Sequence, residues 1–212
     1  MQLLKNNFYF FFATAKVHIL TTVNMSNENE IVNRILNKDL RAFELLVKQY
    51  EKLVFFVINR LTQDQQNKED ICQEVFIKIH HSLPSFRFQS KLSTWIARIA
   101  YLTAVNYVKK NKNNSPYEYP ENIDNYHFTD ETPEQELIKK NTAVYVNELI
   151  EQMPHQYKTV LTLYHLNEFS LTEIEEITGI PEGTVKSYLF RARKLLKEKI
   201  EKDLKHENTW NS

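Results

Sequence analysis

Residues Ser170 to Ile200 read SLTEIEEITGIPEGTVKSYLFRARKLLKEKI, and this stretch decides the fold. Ser170 is a favoured N-cap, and Glu173 completes a capping box that satisfies orphan amides at a helix start. Leu171, Ile174 and Ile177 then share one helical face, with Glu173, Glu175 and Glu176 outside it. Gly179 suits a left-handed cap ending this helix. Pro181, with its fixed φ and missing donor, suits the first turn of the next. In that second helix Val185, Leu189, Ala192 and Leu196 recur at core spacing, while Lys186, Ser187, Phe190, Arg191 and Lys194 form the outer face. A short helix, a glycine turn and a second helix with a basic outer face predict a helix-turn-helix that fits a major groove. The competing reading is a surface hairpin with solvated charges. Agreement of cap, turn and core spacing favours the DNA-reading one.

The chain has 212 residues, enough for one or two compact domains, and only two glycines among many Leu, Ile, Lys and Glu. This composition predicts an all-α fold: two small helical domains joined by a flexible linker, the second containing the helix-turn-helix. The formal net charge is zero, so the partner signal lies in the distribution. Leu83 to Tyr117 contains no acidic residue but carries Arg87, Lys91, Arg98, Lys109, Lys110 and Lys112. From Asn113 to Ile138 the balance inverts, and after Pro181 it turns basic again. Two basic blocks around an acidic spacer suggest two contacts with a polyanion. The single cysteine, Cys72, excludes an intramolecular disulfide and fits a reducing cytoplasm.

Residues 1–24 contain Phe8-Tyr9-Phe10-Phe11-Phe12 after Lys5 and imitate a signal peptide, but Lys16 and His18 interrupt the apolar run before it can span a bilayer. The reading preferred here makes Met25 the working start and 1–24 an upstream extension outside the fold. A signal or membrane-associating segment and a packing element are the alternatives. Residues 25–112 form the first expected domain. Asp39 is placed to cap a helix with Phe43, Leu46, Val47 and Tyr50, and the polar run Thr62 to Lys68 reads as a loop. Asp70 is expected to open the next helix, burying Ile71, Val75, Phe76 and Ile79 and exposing Gln73, Glu74 and Lys78, with Pro84 closing it. A helix from about Leu92 to Val108 is expected to bury Trp95, Ile96, Ile99, Leu102 and Val105. Residues 113–132, with Pro116, Pro120 and three tyrosines, read as the linker; 133–205 form the second domain and 206–212 a tail.

Several of these runs together resemble a known family. Glu69-Asp70-Ile71-Cys72-Gln73-Glu74-Val75-Phe76 is similar to a signature of bacterial sigma factors, as are Phe86-Arg87 and Ser93-Thr94-Trp95-Ile96-Ala97-Arg98-Ile99-Ala100. Lys38-Asp39-Leu40-Arg41-Ala42-Phe43, Gly183-Thr184-Val185-Lys186-Ser187 and Arg191-Ala192-Arg193 fit the same pattern. Four motifs in the right order resemble the extracytoplasmic-function (ECF) subgroup, from Glu28 to about Leu204.

The resemblance implies a non-enzymatic protein that binds core RNA polymerase and directs promoter-specific initiation. It implies region 2 in the first domain and region 4 in the second. Asp70, Gln73 and Glu74 would dock on the β′ clamp helices, with the β flap a further polymerase contact. Phe86, Arg98 and Asn106 would grip the −10 element as single strand, where aromatic faces stack bases and cations meet phosphates. Lys186, Ser187, Phe190, Arg191 and Lys194 would read the −35 duplex. Promoter DNA and an anti-sigma factor, soluble or membrane-bound, are the other implied partners; the setting is cytoplasmic, with no cofactor and no metal. Three positions depart from the family: Leu102 stands for a frequent asparagine, Phe88 for a frequent glycine, and Tyr188 for a usual arginine or histidine.

Two other functions compete with this one. A dimeric, ligand-responsive helix-turn-helix regulator explains the C-terminal domain but leaves the Asp70 helix and the Trp95 block unused. A metalloprotein built on Cys72, His80 and His81 suffers from poor ligand geometry, because adjacent histidines diverge by about 100° on a helix.

Overall fold

The computed structural model describes residues 25–62, 65–111, 142–165 and 167–210. The leader 1–24, the linker 113–132 and the expected domain start at 133 lie outside the described residues. Every regular element among those described is helical. The N-terminal half holds α1 (Met25–Leu36), α2 (Leu40–Asn59), α3 (Gln65–Ser82), a 3-10 turn at Leu83–Ser85, and α4 (Leu92–Asn111). The C-terminal half holds α5 (Thr142–Gln152), α6 (His155–His165), α7 (Leu171–Thr178) and α8 (Glu182–Trp210).

Asp39 caps α2 as its position predicts, accepting hydrogen bonds from the amides of Arg41 at 3.0 Å and Ala42 at 3.2 Å. The Arg34 guanidinium binds the other carboxylate oxygen at 2.8 Å. Together with the Ala42 amide it holds the Asp39 carboxyl below the usual carboxylate range. α2 then buries Leu46, Tyr50, Leu53, Val54, Val57 and Ile58 against Ile71, Val75 and Ile79 of α3 and Ile96 of α4. The Tyr50 hydroxyl donates to Glu28 at 3.0 Å and ties α1 to this core.

Two sequence expectations are corrected. α3 begins at Gln65, not Asp70, so the polar run through Lys68 is already partly helical, and Lys68 is itself buried. α4 turns a different face inward: Leu92, Ile96, Ala97, Ala100, Thr103, Ala104 and Val108 are buried, whereas Leu102 is 42% exposed. Trp95, Ile99 and Val105 are only partly buried. The small alanines let α4 approach α2 and α3 closely, and its larger apolar residues flank that seam. An apolar stripe marks burial but cannot distinguish the core from a second packing surface.

In the C-terminal half, Val146, Leu149, Ile150 and Met153 pack with Tyr157, Val160 and Leu161, and the helix-turn-helix closes over them through Ile174, Ile177, Val185, Leu189 and Leu196. α8 runs on to Trp210, through most of the segment expected as a tail.

Candidate nucleic-acid interface

The helix-turn-helix is built by local chemistry. The Ser170 hydroxyl accepts from the Glu173 amide at 3.2 Å, and the Glu173 carboxylate accepts from the Ser170 amide at 2.8 Å, completing the capping box. Gly179 takes φ 75°, where glycine carries no Cβ penalty, and its amide donates to the Glu175 carbonyl at 2.8 Å. Pro181 precedes α8 rather than opening it: its carbonyl accepts from Thr184 and Val185 at 2.8 and 2.9 Å. Glu175 receives the Glu182 amide at 3.1 Å, and Thr172 donates to Glu182 at 3.2 Å, so the two helices are pinned across the turn.

α8 buries Val185, Leu189, Ala192 and Leu196 and exposes Lys186, Ser187, Phe190, Arg191 and Lys194. Phe190 is 70% exposed, an apolar ring in a polar row. Lys186 pairs with Glu182 at 2.7 Å and Lys194 with Glu198 at 3.8 Å, both one turn apart. Two neighbours face inward instead. Tyr188 stacks edge-on against Tyr157 with centroids 4.9 Å apart, so this departure from the family is partly a packing residue. Arg193 lies over Tyr164 and donates to the His165 imidazole at 3.1 Å; burial and that guanidinium press the His165 pKa down to about 4 and keep it neutral.

On α3, Asp70, Gln73 and Glu74 are all exposed, joined one turn on by Ile77 at 58% exposure. Glu74 pairs with Lys78 at 2.6 Å. Ile77 was not singled out in the sequence, because an isoleucine in an apolar-rich helix reads as core.

The expected −10 residues divide. Asn106 and Arg98 are exposed. Phe86 is corrected: it is only 8% exposed, its ring 5.0 Å from Trp95 and 4.7 Å from Phe88, so it presents no stacking face. Phe88 is the outward aromatic of this loop, 43% exposed, with φ 54°. Glycine takes that left-handed backbone at no steric cost, and a phenylalanine bears strain in it.

Arg98 is not idle. Its guanidinium donates to the Glu176 carbonyl on α7. Lys91 reaches Glu173 at 3.0 Å, and the Thr94 hydroxyl donates to the same carboxylate oxygen at 3.1 Å. Burial would raise the Glu173 carboxyl, but the Ser170 amide and the Lys91 ammonium outweigh it and hold it below its usual value. Farther along, Arg60 at the end of α2 pairs with Glu151 on α5, which also binds Lys158 at 3.0 Å. A cleft of about 280 Å³ is lined by Leu61 together with Tyr101, Val105 and Lys109 of α4 and His155, Gln156 and Thr159 of α6.

No group of three His, Cys, Asp or Glu among the described residues could hold a metal ion, and His80 and His81 merely stack at 5.8 Å. Burial and Glu51 push the Cys72 thiol up and keep it protonated. No helix among the described residues is long and apolar enough to cross a membrane.

The described residues are helical throughout, with an exposed helix-turn-helix face and a second helix carrying cations, an arrangement that fits DNA. Comparison with known proteins makes this specific. The family model for Sigma-70 region 2 matches residues 46–114, and that for Sigma-70, region 4 matches residues 143–196. An ECF RNA polymerase sigma-E factor of Haemophilus influenzae is 36% identical over 181 residues, 82% of this chain and 95% of that protein. An RNA polymerase sigma-H factor of Pseudomonas aeruginosa is 32% identical, over 82% of this chain and 94% of that protein. Among solved structures, the sigma factor RpoE in complex with the anti-sigma factor NepR from Bartonella quintana superposes with a TM-score of 0.54. At 17% identity, over 75% of this chain and 96% of that one, the likeness is one of fold.

The chain belongs to the sigma-70 family, in its ECF subgroup. It is an alternative sigma factor that binds core RNA polymerase and promoter DNA and directs promoter-specific transcription. A dimeric ligand-responsive regulator is not favoured, because the match extends through the N-terminal half as well.

Proposed function

We propose that residues 25–112 act as region 2 and residues 133–205 as region 4, each with a distinct contact surface. The exposed Asp70–Gln73–Glu74 face of α3, extended by Ile77, docks on the β′ clamp helices of the polymerase. The outer face of α8 lies in the major groove at the −35 element, with Arg191 toward base edges and Lys186 toward phosphate; Ser187, Phe190 and Lys194 flank them. Arg98 and Asn106 on α4, with Phe88 supplying the stacking ring, hold the melted −10 strand. The β flap receives the C-terminal half. The protein is not itself a catalyst, since phosphodiester chemistry belongs to the polymerase, and it works in the cytoplasm beside that enzyme. An anti-sigma factor is a further partner, in keeping with the anti-sigma complexes in which proteins of this fold have been solved.

The observation that carries this reading is the exposure of the Asp70 face of α3 and of the outer face of α8. Changing Asp70 and Gln73 together to alanine is expected to weaken binding to core polymerase at least tenfold with helicity intact, because neither side chain is buried. Unchanged affinity in a titration of labelled core would sink the assignment of this face.

A second expectation concerns the loop. Phe88→Gly relieves left-handed strain of about 1 kcal/mol and forfeits an aromatic contact of about 1 kcal/mol, so thermal stability should hardly move. Affinity for single-stranded −10 DNA should nevertheless fall, by about 1–3 kcal/mol for one lost base stack. Equal binding by both proteins in an anisotropy titration would remove Phe88 from the strand-binding surface.

A further inference from the structure

One stripe of α4 belongs to neither the core nor a charged face. Trp95, Ile99, Leu102 and Asn106 recur at helical spacing, so they line up along one side of the helix. The seam of Ile96, Ala97, Ala100 and Ala104 that packs inward lies on another side. Burial falls away along the stripe: Trp95 and Ile99 are partly buried, while Leu102 is 42% exposed and Asn106 is exposed. At its other end Trp95 adjoins the loop aromatics, with the Phe86 ring 5.0 Å away and the outward Phe88 ring 4.7 Å from Phe86.

The result is an apolar track from Phe88 to Leu102, with Asn106 next in line. From Trp95 to Leu102 the helix rises about 10 Å, the length of about three stacked nucleotides at about 3.4 Å each. Arg98 and Asn106 stand one turn to either side of Leu102, so a cation and an amide flank a side chain that can neither donate nor accept. Single exposed leucines are ordinary on protein surfaces; this one stands inside the row assigned to the melted strand. Chemistry limits what it can read. The 5-methyl of thymine is the apolar substituent that base edges offer, and apolar side chains meet it by contact alone. Any other edge loses water against Leu102 without gaining a partner.

We propose that Leu102 is a specificity residue for the melted strand and selects a thymine by burying its 5-methyl group. The inference rests on the reading of α4 as the −10 surface and names what one position of that surface reads. Arg98 and Asn106 hold phosphate and polar edges to either side, and the leucine between them favours the one base that carries a methyl. An asparagine in its place reads hydrogen-bonding groups instead, so the exchange of one residue type for the other moves base preference without disturbing the buried seam.

The test uses polymerase holoenzyme assembled from core enzyme and the full chain. A promoter selected by the native holoenzyme from a randomised library is prepared with its −10 segment held unpaired. Each non-template thymine there is replaced singly by deoxyuridine, which removes the methyl and nothing else. At one position the replacement should weaken complex formation about fourfold, the worth of burying one such carbon. Holoenzyme carrying Leu102→Asn should show no penalty at that position. The side chain is exposed, so the variant should fold as the native chain does, and circular dichroism checks this. A selected −10 segment without thymine overturns the proposal, as does indifference to the methyl at every position or an equal penalty in both holoenzymes. Asn106→Ala is measured in parallel. If it weakens the complex while Leu102→Asn leaves the methyl penalty unchanged, the inference alone fails. If neither substitution alters binding to the unpaired segment, the assignment of α4 to the −10 strand falls with it.

Discussion

Replacing Glu151 with glutamine is expected to remove about 3 kcal/mol from the docked, folded chain, the lower end of the range for breaking a buried ion pair. Arg60 and Lys158 are both almost fully buried, and Glu151 is the carboxylate that both touch. Burial draws the Arg60 guanidinium down to about 10, and burial with the neighbouring Arg60 charge draws Lys158 down to about 8. A glutamine leaves two desolvated cations facing each other. The pH dependence identifies this cause. The folded Lys158 pKa lies below its unfolded value, so between about 8 and 10.5 the unfolded chain binds more protons and stability rises with pH. In the glutamine variant the native Lys158 loses its proton still more readily. The deficit should therefore be largest near pH 7 and shrink toward pH 9.5. Urea titrations followed by far-UV circular dichroism at the two pH values measure it, and an equal loss at both would show that charge is not the reason.

Arg191→Ala should change what the protein reads more than how tightly it holds. Arg191 is exposed on the outer face of α8, beyond the pinned turn, where a guanidinium can bond a guanine edge through two parallel hydrogen bonds. Its loss should relax preference at one or two −35 positions by about 1–3 kcal/mol each. Lys186→Ala is the contrasting variant. A flexible ammonium suits phosphate, so its loss should weaken all promoters alike and make the log–log salt slope shallower by about one unit. Promoter selection from a randomised library over a salt series separates the two. A −35 profile unaltered by Arg191→Ala would remove α8 from base readout.

The parts legible in the sequence are those made by neighbours along the chain. Ser170, Glu173 and Gly179 act within a few residues of themselves, so cap, helix and turn could be placed without any tertiary information. The outer face of α8 followed from the same periodicity. What misled was non-local. α4 is apolar on more than one side, and the stripe through Trp95, Ile99 and Leu102 outweighed the alanine seam that packs on α2 and α3. Phe86 and Phe88 are two residues apart in an irregular loop where periodicity has no meaning; the backbone at Phe88 decides which ring points out. Charge pairing between halves was invisible for the same reason, since Lys91 and Glu173 are separated by most of a domain and a linker.

The Glu173 carboxylate divides its work between its two oxygens. Oε2 receives the Ser170 amide and finishes the cap of α7, while Oε1 receives Lys91 and Thr94 from the other half. The cap of α7 and the contact between the halves thus rest on separate oxygens of one side chain, and losing Lys91 or Thr94 leaves the bond to the Ser170 amide in place.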